Sequence, residues 1–398
     1  MLIQFSARNY KSFKDTLTLD LFTKKQEAVS AIYTEADSNI YSSAVFYGAN
    51  GSGKSNILKA FAMMRRLVLN EDKIIQSTDV LPINQFRLSS ESEDDTTSFD
   101  ICFVHNGKKY KYGFEYDSTC VYSEYLYIYE SVRRTIVFEY DVDENNGKIK
   151  APKFKDLQNL KHLKNSLFLV EADRNDNSEA KNVLQWFNSC RFIEYSSKMP
   201  LNPTYWNNHS KPGIKEIFQT FITSADFGIK DIFQEVKPGN DNIEEVTVKT
   251  LHPKYDENNN PVSDVPFNLF DDESLGTQKY FHVIGPVIDA LQRGSALFLD
   301  ELDASLHPIL TRKIVELFNN KDANKKGAQI IFTSQDTNLL DQSLFDKEQI
   351  WFVEKDKYGC SHLTGLAEYK DVRKEHKIER NYIMGKYGAI PYLGDFNF

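Results

Sequence analysis

"GANGSGKS", residues 48–55, decides how this chain is read. It fits G-x-x-x-x-G-K-[ST], and each part has a physical job. Gly48, Gly51 and Gly53 let the backbone turn successive N–H groups inward around an anion. The preceding "SSAVFY" reads as a buried strand. Ile57, Leu58, Phe61, Met64, Leu67 and Val68 after it keep helical spacing. A helix starting there turns its positive end to the same anion. Lys54 brings a point charge to the β/γ-phosphates of a nucleotide, and Ser55 offers a hydroxyl to Mg²⁺. Strand, glycine loop and amphipathic helix in that order make a phosphate-binding loop. Its expected nucleotide contacts are Gly48, Asn50, Gly51, Ser52, Gly53, Lys54, Ser55 and Asn56.

A phosphate loop does not by itself separate kinases, GTPases and mechanical ATPases, so the partner carboxylates matter. In "SALFLDELDASLHP" (295–308) an apolar strand, Ala296–Leu299, ends in Asp300 and Glu301. Asp300 suits the Mg²⁺ shell. Glu301 suits a general base that orients and polarises water, a role worth on the order of 10²–10⁴ in rate. In "DDESLGTQKYFHVIGPVIDAL" (271–291), Ser274, Gly276 and Thr277 open a helix with apolar Phe281, Ile284, Val287 and Ile288. A serine and a bare glycine at a helix N-terminus suit a second anion. One ATP already has its own loop, so a second reader makes sense if it serves a neighbouring subunit's ATP. In "QIIFTSQDTNLL" (329–340) a buried strand breaks into Thr333, Ser334, Gln335 and Asp336.

Composition narrows the classes. The chain has 398 residues, 41% of them hydrophobic, enough for one large domain or two ordinary ones. A net charge of −9 excludes a generally basic nucleic-acid coat. Cys102, Cys120, Cys190 and Cys360 are scattered, which suggests neither a zinc knuckle nor a disulfide framework. Reduced thiols, no signal-peptide core and no apolar run of roughly 20 residues predict a cytoplasmic protein without a membrane span.

Residues 2–22 read as two short strands, with Arg8 and Lys11 on or just after the first. Residues 98–140 read as an antiparallel set turning at "HNGKK" (105–109). Tyr110, Tyr112, Tyr125, Tyr127 and Tyr129 read there as cross-strand aromatic pairs, with base stacking as the alternative. In the middle, Leu157, Leu160, Leu163 and Leu167 predict a helix, and Ile214, Ile217, Phe218, Phe221 and Ile222 another. "PKYDENNNPVSD" (253–264) reads as a loop. No heptad pattern lasts long enough for a coiled coil. His307 reads as a helix-start residue rather than a ligand, and Trp351 and Phe352 as strand packing.

The pieces, in this order, resemble the ABC-type ATPase head of the SMC/RecF/OLD group. "GANGSGKS" is similar to Walker A, "ESLGTQ" stands where the LSGGQ-like signature falls, and "ALFLDE" is similar to Walker B. "LDASL" (302–306) is similar to the D-loop, with Asp303 as its aspartate, and "ARNYKSF" to the N-terminal strand motif. "ESLGTQK", "DELDASLHP", "QIWFVEKD" and "YGAIPYL" resemble one branch, the RloA and AbiLi-like ATPases of bacterial restriction and abortive-infection loci. The resemblance covers roughly residues 1–140 and 265–398.

It implies an α/β ABC-type P-loop ATPase head: a mixed sheet with flanking helices, an antiparallel β subdomain and a helical insertion. The expected domains are 1–140 (Walker A part), 141–264 (mainly helical insertion) and 265–398 (signature, Walker B and D-loop). ATP and Mg²⁺ are the implied cofactors. Ser55 and Asp300 would serve the metal, Glu301, Lys54 and Gln335 the chemistry, and Ser274, Gly276 and Asp303 the nucleotide. Two heads would sandwich two ATPs as a homodimer or higher oligomer. A separate effector, a nuclease or Toprim-like protein, would be controlled in phage defence. The chain departs from the group at Gln335, where "TTHD" or "TSHD" carries a switch histidine.

Two other functions compete. A DNA-repair or end-binding ATPase with a DNA or RNA contact would use the basic tail, Lys370, Arg373, Lys374, Lys377 and Arg380. Asp371, Glu375 and Glu379 interrupt that tail at the spacing of a salt-bridged solvated helix. A transporter's nucleotide-binding half would need a separate membrane partner.

Overall fold

The computed structural model describes residues 1–130, 133–143, 148–194, 214–225, 228–238, 244–370 and 377–391. Along the chain the strands are β1 (Leu2–Arg8), β2 (Leu17–Asp20), β3 (Phe22–Thr23), β4 (Ile32–Glu35), β5 (Ser38–Tyr41), β6 (Ser43–Tyr47), β7 (Thr97–His105), β8 (Lys108–Tyr116), β9 (Val121–Glu130), β10 (Arg133–Asp141), β11 (Arg191–Ile193), β12 (Asp231–Pro238), β13 (Glu244–Tyr255), β14 (Pro261–Asn268), β15 (Ala296–Leu299), β16 (Gln329–Thr333), β17 (Ile350–Lys355) and β18 (Ser361–Gly365).

The central sheet runs β11-β15-β16-β6-β17-β18. Its first five strands are parallel and β18 closes the edge antiparallel. Alternate side chains of these strands enter two different cores. Ala44, Phe46, Ala296, Phe298 and Ile331 face one, and Val45, Tyr47, Leu297, Leu299, Ile330 and Phe332 the other. Burial on both faces is why these strands read as continuous apolar runs rather than alternating ones.

The first core lies between the central sheet and an antiparallel sheet ordered β10-β9-β8-β7-β1-β2. The Lys54–Val68 helix fills it. Phe61 is its hub, with ring centroids 4.3 Å from Phe298, 5.2 Å from Phe5 and 6.0 Å from Trp186. The second core holds the Leu275–Arg293 and Pro308–Asn319 helices. The tyrosines of the antiparallel sheet serve packing. Tyr110 stacks on Phe103, Tyr125 stacks on Tyr127, and Tyr112 donates to Glu124 at 2.9 Å.

The middle of the chain differs from expectation. Helices form at Phe168–Arg174, Ser178–Ser189 and Ile214–Thr223, but β12-β13-β14 make a three-stranded antiparallel sheet there as well. The 253–264 stretch is not a loop. It is a hairpin whose turn is tied by Asp256 Oδ1, which accepts the N–H groups of Asn258 and Asn260 at 2.8 Å. The helix expected over 157–167 begins instead at Phe168, where Glu124 accepts the N–H groups of Phe168 and Leu169. Nor is residue 141 a physical boundary. Val183, Trp186 and Phe187 pack in the first core, and β11 extends the central sheet. Residues 195–213 of the expected insertion, 371–376 of the basic tail (Arg373 and Lys374 included) and 392–393 of "YGAIPYL" lie outside the described residues.

Candidate functional site

Three parallel strands, β6, β16 and β15, deliver their C-terminal ends to one edge of the central sheet. β6 runs into the phosphate loop, β15 into Asp300, and β16 into Ser334. Ligand sites of open α/β sheets lie at this edge for topological reasons.

The loop is shaped for close backbone approach. Gly51 and Gly53 have φ of 75° and 109°. A Cβ at Gly53 would fall 2.5 Å from Ser361 Oγ and 2.6 Å from Ser12 Oγ. Ser361 Oγ donates to the Ser52 carbonyl at 2.5 Å, so β18 props the loop from behind. Ser52 Oγ is buried without a hydrogen-bond partner. Lys54 Nζ, 7% exposed, donates to the carbonyls of Gly48 and Ala49 at 2.6 and 3.1 Å. Burial pushes its pKa down, while Glu301, Asp300 and Asp303 pull it up.

Ser55 Oγ donates to Asp300 Oδ1 at 2.9 Å, which joins the phosphate loop to the end of β15. The same carboxylate oxygen accepts Thr333 Oγ1 at 2.7 Å, and Thr333 Oγ1 in turn accepts the Glu301 N–H at 2.7 Å. Glu301 is exposed and sits in the left-handed region, with φ of 50°. A non-glycine residue there carries strain, and such strain persists where the surroundings over-determine it. The Glu301 carbonyl accepts Ala304 N–H at 3.1 Å and Lys279 Nζ at 2.9 Å.

Asp303 Oδ2 accepts the Gln335 N–H at 3.1 Å, while its Oδ1 is buried without a partner. Gln335 is thus at the site edge, held by its backbone, with an exposed side chain. Ser274 caps the Leu275–Arg293 helix, its Oγ accepting Thr277 N–H at 3.2 Å. Gly276 packs against the loop after β15, where a Cβ would lie 2.9 Å from the Ser305 carbonyl. Gly276 therefore packs on the loop that carries Asp303 in its own chain. Leu275 beside them and Ile309 are 61% and 63% exposed.

A cavity of about 580 Å³ opens beside the loop, lined by Lys11, Ser12, Asn56, Gln85 and Phe86 among others. Lys11 thus lies near the phosphate-loop helix. Arg8 does not join it, being ion-paired with Asp95 at 2.5 Å and Glu115 at 3.1 Å. His307 Nδ1 accepts the Ile309 N–H, the helix-start role expected of it. Thr333 and Lys279 lie within stretches that the sequence marks, "FTSQD" and "ESLGTQK", but their links to Asp300 and Glu301 are not legible there.

Residues 43–341 match the family described as "AAA domain, putative AbiEii toxin, Type IV TA system", which covers more than half of the chain. The chain belongs to this family. It is a P-loop ATPase domain of mixed α/β fold, and the phosphate loop, Asp300 and Gln335 all fall inside the matched span. No curated protein matches. Among solved structures, the crystal structure of an SMC head bound to the C-winged helix domain of ScpA is similar, at 12% identity and a TM-score of 0.46, over 92% of this chain and 97% of that one. No helix among the described residues of this AAA-family chain is long and apolar enough to cross a membrane.

Proposed function

We propose that this chain binds and hydrolyses ATP, and that two copies close head to tail around two nucleotides. The observation that carries the reading is the 2.9 Å contact of Ser55 Oγ with Asp300 Oδ1, the two groups suited to share one Mg²⁺. The glycine cradle and the partnerless Ser52 Oγ fit phosphate oxygens. Mg²⁺, when bound by Ser55 and Asp300, offsets the charge of the phosphates.

The remaining work falls to the chain. Backbone N–H groups of residues 51–55 and Lys54 hold the phosphates. Glu301 accepts a proton from the attacking water as its oxygen bonds to the γ-phosphorus. The bond to the bridging oxygen breaks, and ADP and phosphate leave. Ser274 and Gly276 meet the partner's γ-phosphate, and exposed Leu275 and Ile309 lie on the face that closes. Gln335 donates its amide N–H to phosphate but takes up no proton near neutral pH. Closure controls a separate effector, a nuclease or Toprim-like protein, in phage defence. The toxin wording of the family description and the RloA and AbiLi-like motifs support that placement.

Sedimentation of Glu301→Gln tests the core of this reading. The variant should bind ATP, turn over roughly 10²–10⁴ times more slowly and accumulate as an ATP-dependent dimer. A variant that stays monomeric with ATP, or hydrolyses at the wild-type rate, sinks it.

A further inference from the structure

Lys279 lies five residues beyond Ser274 on the Leu275–Arg293 helix and is 1% exposed. Its Nζ donates to the Glu301 carbonyl at 2.9 Å. The carboxylates of Asp303, Glu301 and Asp300 face it, and burial pushes its pKa down to about 8 against their pull. Burying an ammonium costs several kcal/mol unless it is well paired. A methionine would fill the same space without that cost. The lysine is therefore a poor choice for packing and a good one for holding a carbonyl.

The carbonyl it holds belongs to a residue in an unfavourable backbone conformation. Glu301 is gripped on its N–H side by Thr333, from β16, and on its carbonyl side by Lys279, from the helix that Ser274 begins. The direction in which the Glu301 side chain leaves the strand depends on both. A shift of the helix start moves Lys279 and, through it, the Glu301 peptide. Gly276, packed on the Ser305 carbonyl, makes that helix start and the Asp303 loop move together.

We propose that Lys279 is a positioning residue that transmits the state of the Ser274–Gly276 site to Glu301 of the same chain. The inference rests on the head-to-tail reading above. There, Ser274 meets the partner's nucleotide while Glu301 serves its own. Each ATP then sets the glutamate of the opposite site, and hydrolysis is cooperative in ATP.

Lys279→Met tests this against wild type in steady-state ATPase titrations, with melting and ATP-dependent sedimentation as checks on folding and closure. The expected result is a kcat lower by about 10–100-fold, as for a reacting group misplaced by about an ångström. KM should change little, ATP-driven association should persist, and the Hill coefficient should fall below that of wild type. Lys279→Gln keeps a donor for the Glu301 carbonyl and should recover part of both losses; it also carries the test if the Met variant does not fold. Wild-type cooperativity retained in Lys279→Met overturns the coupling, whatever happens to kcat. A wild-type Hill coefficient of 1 overturns it too, while leaving the ATPase reading intact. A wild-type chain without turnover overturns both.

Discussion

Thr333→Val probes the site at its narrowest point. Thr333 ends β16 and is fully buried. Its single hydroxyl donates to Asp300 Oδ1 and accepts from the Glu301 N–H, both at 2.7 Å. Valine keeps the branched shape and replaces that hydroxyl with a methyl. Asp300 loses a charge-assisted hydrogen bond, worth about 1.5–3 kcal/mol. The Glu301 N–H loses its acceptor, about 1–3 kcal/mol if no water replaces it. Glu301 is exposed, so water can recover much of the second loss. The expected destabilisation is therefore about 2–4 kcal/mol. The larger effect falls on turnover. Without its N–H anchor, Glu301 is free to leave the left-handed conformation, which by itself costs of order 1–3 kcal/mol. Turnover should fall about 10–100-fold, with ATP affinity altered less. Thr333→Ser keeps the hydroxyl and should stay within a few-fold of wild type. The assay is steady-state phosphate release, with thermal melting of all three proteins. Wild-type turnover in Thr333→Val would show that the Glu301 conformation does not depend on this hydroxyl and would refute the reasoning.

Two further predictions concern a buried carboxyl and the departure from the switch histidine. Burial pushes Glu124 from 4.5 up to about 7, against the opposing pull of the N–H groups of Leu169 and Phe168 and the Tyr112 hydroxyl. A raised carboxyl pKa contributes stability that is fully present below pH 4.5 and lost as pH rises through 7. Between pH 5 and 8 wild type should lose up to about 3 kcal/mol relative to Glu124→Gln, read from denaturant midpoints; parallel pH slopes would contradict this. Gln335→His should restore a titratable group at the site edge, raising turnover and giving it a pH dependence near the usual histidine range of about 6.5. Unchanged hydrolysis and ATP-driven dimerisation in that variant would remove Gln335 from the mechanism.

The parts of the site legible in sequence are those whose chemistry is local. A phosphate loop needs its glycines, lysine and serine within one turn of chain, so "GANGSGKS" announces itself. The apolar run before Asp300 places that carboxylate at a strand end for the same reason. Thr333 and Lys279 contact a neighbour 32 and 22 residues away along the chain, and the local stretches "FTSQD" and "ESLGTQK" do not announce those contacts. In sequence Lys279 ends the "ESLGTQK" stretch, but nothing there says that it is buried. Only the packing of that helix under the Asp303 loop makes it a buried cation. The middle of the chain reads as loop because its strands carry breaker residues. Pro253, Pro261 and Pro266 and the Asn-rich turn look like loop, yet Pro261 and Pro266 lie on β14, an edge strand, where a missing N–H is tolerated.

The edge of the central sheet also bears on what a glutamine at position 335 leaves to the other residues. The Gln335 backbone is tied to Asp303 Oδ2, so its place at the site does not depend on which side chain it carries. A glutamine there can still donate a hydrogen bond, but it cannot relay a proton. On the proposed function, proton acceptance then rests on Glu301, and the rate should be sensitive to how that one carboxylate is aimed. On that reading its aim is set by Thr333, the last residue of β16, and by Lys279 from the helix that Ser274 caps. A site so built, with one proposed base and two proposed positioning contacts, would suit a switch better than a fast hydrolase. Weakening either contact should slow hydrolysis while leaving closure around ATP in place.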